Sequence, residues 1–468
     1  MNAALSFEPE DLMRWCGGEW RPGPPPKPVS SVTQDTRKLL PGALYVALPG
    51  ARVDGHDHVR TAKEAGAGAA LVSRERAGTL AGLGIPLLVV ENPSLSLQEL
   101  ATGYRRKLGL TVVGVTGSTG KTTVKEMIAC LLSGSIPTAC TMGNWNNEVG
   151  LPLSILAIPP GTKVGVLELG ISHPGEMAPL CGIALPDHGV ITNVGPVHLE
   201  FFESVAAIAR EKGELFRSLP ASGTAVLSLD EPHFGLLKSL APGKVVTTSL
   251  RSNCAADYAL VQDDPRTGDC TVVDRADGQI HRFRMTMPGL HNRHNALLAV
   301  AVARGLGVSW EHLAAAFEQY VAPPMRWERR EVAGLTVIND AYNANPVSMQ
   351  AALRTFREMD AAGRKWLALG DMLELGPGGI EAHLAIGRSL ANGPWAGLVT
   401  VGPLGARIAE GALVAGMPGA LVRTCGTAAE AAIYLKERMV KGDVLLLKAS
   451  RGKRLEDIIP GLMERVKD

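Results

Sequence analysis

The sequence has 468 residues, 46% of them apolar and 20% charged, the balance of a soluble globular protein long enough for about three domains. Its 47 Lys and Arg against 46 Asp and Glu create no field that would draw nucleic acid or an anionic membrane surface, and no basic run forms a nucleic-acid-binding tail. Residues 1–20 lack the basic and apolar segments of a signal peptide, and no apolar run approaches the roughly 18 residues of a membrane span. The seven cysteines are odd in number, scattered and without a CxxC pair. They read as reduced thiols of a cytoplasmic protein rather than a disulfide framework or a zinc site.

Residues 21–28 hold five prolines and a glycine, a stiff connector or surface loop. Short apolar runs follow at 44–48, 69–72 and 86–90, separated by Ala-rich helix-like stretches, which predicts a small α/β unit over 1–107. A second unit, 108–324, opens with a buried-strand candidate at 111–115 and a helical pattern at 124–132. Further strand candidates lie at 164–169 and 189–192, and the alternation of strands with helices predicts a mostly parallel sheet covered on both faces. The period then changes. Phe283, Met285 and Met287 alternate with Arg284 and Thr286 just after the turn pair Asp277-Gly278, which predicts an antiparallel excursion. A helix is predicted at 295–304. The third unit, 325–468, has strand candidates at 335–339, 366–369, 398–401 and 444–447, with helices at 348–359, 383–390 and 428–439, a doubly wound pattern.

The most informative string is Gly117-Ser118-Thr119-Gly120-Lys121-Thr122-Thr123. A buried strand runs into a glycine turn that opens a helix, the context a phosphate-binding loop needs. The two glycines permit a turn that aims backbone N–H groups inward, and the helix N-terminus adds partial positive charge. Lys121 can reach the outer phosphates of a nucleotide and the Thr122 hydroxyl can ligate Mg²⁺. The longer GxxxxGK[ST] spacing would place glycine at 115, where this chain has Val115, so the match is to a shorter GxxGKT form.

Downstream, Asn144, Asn146 and Asn147 crowd one polar segment, poor helix or strand material. It is a polar turn or a loop that offers amides to an oxygen-rich ligand. Glu168 is the single charge of its apolar run and sits at the C-terminal end of the strand, where open α/β sheets bind ligands. There it faces solvent or holds a cation. His198 likewise follows a strand. Lys212, in Arg-Glu-Lys-Gly-Glu, reads by itself as a solvated helix lysine.

In order along nearly the whole chain, these segments resemble the Mur ligase family, ATP-dependent amide-forming enzymes of peptidoglycan synthesis. The resemblance is carried by Asp35-Thr36-Arg37, Asp54-Gly55-His56-Asp57, the 117–127 loop and helix, residues 144–150, Glu168-Leu169-Gly170 and His198-Leu199-Glu200. It continues through Lys212-Gly213-Glu214, residues 289–295, Asp340-Ala341-Tyr342-Asn343-Ala344-Asn345-Pro346, Gly370-Asp371-Met372-Leu373-Glu374-Leu375-Gly376 and Lys448-Ala449-Ser450-Arg451. The two strings at 340–346 and 370–376 are closest to the branch that adds D-alanyl-D-alanine to UDP-N-acetylmuramoyl-tripeptide.

The resemblance implies three α/β domains: an N-terminal one for the UDP end of the substrate, a central P-loop ATPase and a Rossmann-like C-terminal one. It implies that Lys121, Glu168, His198 and Lys212 serve catalysis. Thr122, Glu168, His198 and a carbamylated Lys212 would hold Mg²⁺. Asn292 and Asn295 would contact adenine, while Arg326, Asp340 and Tyr342 would face the nucleotide from the closing domain. Asp35, Thr36 and Arg37 would form part of the UDP-substrate pocket, with Asn144, Asn146 and Asn147 beside it. ATP and Mg²⁺ are the implied cofactors, and UDP-N-acetylmuramoyl-tripeptide and D-alanyl-D-alanine the implied partners of a cytoplasmic enzyme. A monomer is expected, with no nucleic acid and no membrane insertion. Met325 stands where the family often has glycine, and Lys-Ala-Ser-Arg where Lys-Gly-Ser-Arg is commoner. The rival readings are a sister ligase with another amine and a nucleotide-switch binding module.

Overall fold

The computed structural model describes residues 5–50 and 53–463. The first four and last five residues, where the expected outer units begin and end, lie outside the described residues. Among the described residues three sheets organise the chain. The first has the order Glu19–Arg21, Leu87–Val90, Ala69–Ser73, Leu44–Val46, Val32–Thr33, and is parallel except where Glu19–Arg21 pairs antiparallel with Leu87–Val90. Its inner strands are buried along their length, as strands covered on both faces must be.

The second sheet has nine strands. Its parallel part runs Tyr258–Asp263, Lys244–Ser249, Thr224–Ser228, His188–Ile191, Thr111–Thr116, Val164–Glu168, Thr138–Cys140. From Thr111–Thr116 the chain crosses outward to Thr138–Cys140, and from Val164–Glu168 it crosses back to His188–Ile191. The crevice beyond the C-terminal ends of these two central strands is therefore a topological switch point, the usual ligand position in an open α/β sheet. An antiparallel extension, Tyr258–Asp263 with Asp269–Asp274 and Gln279–Arg284, carries the sheet to its far edge.

The predicted antiparallel excursion is present, but its last strand ends at Arg284. Met285 and Met287 are buried outside it. The Met285 N–H still donates to the Gly268 carbonyl. Beyond that, the buried Arg293 guanidinium donates to the Met285 and Met287 carbonyls at 3.4 and 2.8 Å. The inward alternation thus outlasts the ladder because an arginine replaces the missing strand.

The third sheet, Glu328–Val332, Leu335–Asn339, Val444–Lys448, Lys365–Gly370, Trp395–Val401, Val422–Cys425, is parallel after its first hairpin. Predicted elements here fall within a few residues of those observed. Residues 21–28 are mostly exposed and carry no helix.

The N-terminal and central units share one apolar core. Helix Pro93–Leu108 begins at Asn92, whose side chain accepts from the Ser94 and Leu95 N–H groups, and stops at Gly109, φ 61°. Its buried face, Leu97, Leu100, Ala101 and Tyr104, packs with Leu151, Leu156, Leu180 and Ile183 of the central unit. The Tyr104 hydroxyl donates to the Ile158 carbonyl at 2.8 Å and Arg105 pairs with Asp187 at 2.9 Å. The C-terminal unit instead meets the central one around a polar cleft, with an apolar seam formed by Met349, Ala352 and Phe356 in the same core as Ala296 and Val300. No helix among the described residues is long and apolar enough to cross a membrane.

Candidate active site

A cavity of about 1130 Å³ opens at the switch point. Its floor is the predicted phosphate loop. Strand Thr111–Thr116 ends at Gly117, φ 152°, and helix Lys121–Leu132 starts at Gly120, φ 79°. A side chain on Gly117 would strike the Thr192 hydroxyl, and one on Gly120 would lie 2.7 Å from Asn295 Oδ1. Backbone approaches this close, not only the turn itself, require glycine. The Asn193 side chain accepts from the Thr119 N–H and hydroxyl, both at 3.1 Å. Ser118 Oγ lies between the Gly195 carbonyl and N–H. The Lys121 ammonium donates to the Gly117 carbonyl at 2.9 Å. Burial pulls its pKa below the usual lysine value and Arg326 adds to this, while Glu168 opposes it.

Glu168 is buried in the cavity wall. The Thr122 hydroxyl donates to its Oε2 at 2.8 Å and the Asn146 amide to its Oε1 at 2.7 Å. Thr122 Oγ1 also accepts from Arg326 at 2.9 Å, so a C-terminal-unit guanidinium reaches the phosphate loop of the central unit. That guanidinium lies 4.1 Å from the centre of the Tyr342 ring, a cation–π contact. Asp340 accepts from the Trp327 N–H at 3.2 Å and from Lys448 at 2.6 Å. Met325 and Trp327, flanking the arginine, have φ of 58° and 57°. Met325 thus holds the left-handed backbone for which glycine is better suited.

His198 lines the cavity with its Nδ1 2.9 Å from Glu374 Oε2 of the C-terminal unit. The pair is an electrostatic contact across the cleft. Burial lowers the imidazole pKa; Glu374 resists the shift and the ammonium groups of Lys121 and Lys212 reinforce it. Lys212, on helix Val205–Arg217, is buried and lies outside the cavity lining. Burial, with Lys121 adding to it, pushes its ammonium well below the usual lysine value. This is the opposite of a solvated helix lysine.

Asn292 and Asn295 line the cavity from the start of helix Leu290–Gly305, and the Asn292 amide donates to the Pro288 carbonyl at 2.7 Å. Thr123, Asn144, Asn146 and Asn147 also line it. The Asn147 side-chain oxygen Oδ1 additionally accepts from the Gly150 N–H at 2.8 Å, a local structural use. Asp35, Thr36 and Arg37 lie outside the lining. Asp35 caps a short turn and Arg37 grips both its oxygens at 2.8 Å. The Arg37 hydrogen bonds hold that carboxyl at about 2. The next residue, Lys38, stands 5.8 Å over the Trp145 ring, which brings this turn beside the asparagine loop.

The Thr122 hydroxyl and the buried Glu168 carboxylate present hard oxygen ligands side by side, a pair that suits Mg²⁺ and not a thiophilic ion.

Comparison with known proteins agrees with this arrangement. The pattern of the Mur ligase family catalytic domain matches residues 28–105, that of the Mur ligase middle domain residues 115–303, and that of the Mur ligase glutamate ligase domain residues 325–451. The UDP-N-acetylmuramoyl-tripeptide--D-alanyl-D-alanine ligase of Bacillus subtilis (strain 168) is 37% identical over 437 residues, 93% of each chain. The chain belongs to the Mur ligase family. Among solved structures, this Mur ligase is similar to MurF from Acinetobacter baumannii, with a TM-score of 0.88, 28% identity and coverage of 99% of this chain and 100% of that one. It is also similar to MurF ligase from Thermotoga maritima in complex with ADP, with a TM-score of 0.78, 29% identity and coverage of 93% and 97%.

Several lining groups of this Mur ligase carried no assigned role in the sequence reading: Asn193, His291, His294, Glu374 and Lys448. Burial brings the His291 imidazole down to about 4, and His294 Nε2–H donates to the Thr192 carbonyl at 2.6 Å. Both histidines flank the expected adenine asparagines, and Glu374 lies inside a quoted string. The signal for His291, His294, Glu374 and Lys448 was position within a motif, which does not say where a side chain points; Asn193 lay in none.

Proposed function

We propose that this chain is an ATP-dependent ligase that joins D-alanyl-D-alanine to UDP-N-acetylmuramoyl-tripeptide through an acyl phosphate, giving the muramoyl pentapeptide of peptidoglycan synthesis. The observation that carries this reading is the single cavity in which the phosphate loop, the Thr122–Glu168–Asn146 cluster and Arg326 of the third unit converge. The names of its relatives agree with it. In this reading the units are 1–107 for the UDP end, 108–324 for ATP and 325–468 for closure.

The residues then divide the work. The N–H groups of residues 117–123 cradle the phosphates of ATP, and Lys121 offsets charge that builds on the transferring phosphoryl oxygens. Arg326 adds a second cation from across the cleft. Asn292 and Asn295 face adenine, with Asp340 and Tyr342 on the opposite wall. Asp35, Thr36 and Arg37 hold the uridine nucleotide, and the 144–147 loop holds its peptide end. Thr122, Glu168, His198 and Lys212 would hold Mg²⁺, Lys212 as a carbamate, for which a buried amine of lowered pKa is a suitable starting group. When bound, the metal supplies charge neutralisation at the phosphoryl oxygens. Apposition of the third unit excludes water from the acyl phosphate until the dipeptide amine attacks. We place the reaction in the cytoplasm, as a monomer.

The test is phosphate release from ATP with UDP-muramoyl-tripeptide, with and without D-alanyl-D-alanine. Release that needs both, with a pentapeptide product by mass, is expected. Release that follows a different amino acid would reassign the chain to a sister ligase.

A further inference from the structure

We propose that Lys125 is a positioning residue for the peptide-bearing substrate: it holds the asparagine loop against the phosphate-loop helix, and through Asn146 it sets the Glu168 carboxylate. The inference rests on the ligase reading above. Lys125 lies one helical turn beyond Lys121 and Thr122, but its side chain turns away from the cavity and is completely buried. An ammonium in that position carries a desolvation penalty that an apolar residue would avoid, and is tolerated only when paired. Its partners are few and directional. Nζ donates to the Thr141 carbonyl at 2.6 Å and the Gly143 carbonyl at 3.3 Å, and lies 2.9 Å from Glu126 Oε1.

Those two carbonyls are the root of the asparagine loop. Thr141 is itself fixed to the strand that bears Glu168: its N–H donates to the Val166 carbonyl at 3.0 Å, and its hydroxyl accepts from the Glu168 N–H at 2.9 Å. From this root the chain returns to the same carboxylate by Asn146, whose carbonyl accepts from the Gly170 N–H at 2.9 Å. The fit there is close, since a side chain at Gly170 would meet the Asn146 amide at 2.6 Å. The loop's other flank faces the N-terminal unit, through Trp145 under Lys38 and through Gln98, which donates to the Glu148 carbonyl at 3.3 Å. One buried ammonium therefore anchors a loop that touches the cluster beside the phosphates on one side and the nucleotide-sugar unit on the other. Releasing the loop frees Asn146 from Glu168 Oε1 but leaves the Thr122 bond to Oε2 in place. The deficit should fall on the peptide substrate more than on ATP.

The test uses the full chain and steady-state ligation. Lys125→Met should raise KM for UDP-muramoyl-tripeptide roughly tenfold or more, the effect of one lost bond from a charged donor, with KM for ATP changed less than about twofold. Lys125→Arg, which keeps the charge and donors, should recover most of the loss. Glu126→Gln, which removes the counter-charge but leaves both carbonyl bonds, should raise the same KM less than Lys125→Met does. Equal rises in both KM values, or a methionine variant with normal KM for the tripeptide, would overturn the proposal. If the methionine variant does not fold, Lys125→Gln, which keeps an amide donor but loses the charge, decides: a rise confined to the tripeptide KM supports the loop anchor, and equal or absent rises refute it. A wild-type protein that ligates no muramoyl peptide would defeat the ligase reading instead, a result visible before any variant is made.

Discussion

The Lys121 ammonium makes one bond within its own loop, so its removal should leave the fold intact and fall on chemistry. Lys121→Ala is expected to lower kcat by at least about 10²-fold, as loss of a charge-stabilising donor does, with an unchanged melting temperature; phosphate release measures the first and calorimetry the second. Near-normal turnover would remove the loop's assignment. A different residue carries stability. Asp443 is buried at the base of the third sheet and takes bonds from Arg364, the Trp366 indole and the Val440 N–H, at 2.8 to 3.1 Å. Burial alone raises its carboxyl, but these donors more than offset that and hold it below the usual range. Asp443→Ala should cost about 2 kcal/mol, a figure kept low because solvent screens the half-exposed Arg364. A depressed carboxyl stabilises above its unfolded value of about 4 and loses that contribution as pH falls through the folded value. Urea midpoints of variant and wild type should therefore converge in acid.

At the scale of elements, much was legible. Strands 111–116 and 164–168 are apolar but for polar residues at their ends, and burial on both faces leaves them no other pattern. The glycine turn between strand and helix fixed the phosphate loop. Residues whose role depends on a distant partner were not legible. Lys212 reads as a surface lysine because the sequence does not show that its helix face is covered. Asp35 and Arg37 were visible as a motif, but their mutual grip was not. The closing loop shows the same limit. Gly376, φ 59°, lies where a side chain would come within 3.2 Å of the Glu200 backbone, beside the His198–Glu374 contact. Gly376→Ala adds left-handed strain of about 1–2 kcal/mol and pushes the loop off the central unit. It should reduce kcat about 5–30-fold, while ADP affinity measured by calorimetry stays near wild type. Unchanged kcat would show that apposition of this loop is not needed.

For the whole molecule, the two joints differ in kind. The N-terminal unit leans on the central one through Leu97, Leu100 and Tyr104, so residues 1–110 expressed alone would expose that face. The fragment should aggregate or lack a cooperative thermal transition, whereas 1–324 should melt cooperatively; circular dichroism of both decides. The third unit meets the central one around a polar cleft flanked by the apolar seam of Met349, Ala352 and Phe356.

The last strand of the nine-stranded sheet, Gln279–Arg284, has one edge with no partner strand among the described residues. Edges of this kind invite other chains to zip on during synthesis, when many copies are crowded together. Here Arg282 stands exposed, and Arg284 pairs with Asp269 of the adjoining strand at 2.9 Å, so a second chain laid along this edge would meet charged side chains. Charged residues so placed make the edge a poor template for another strand.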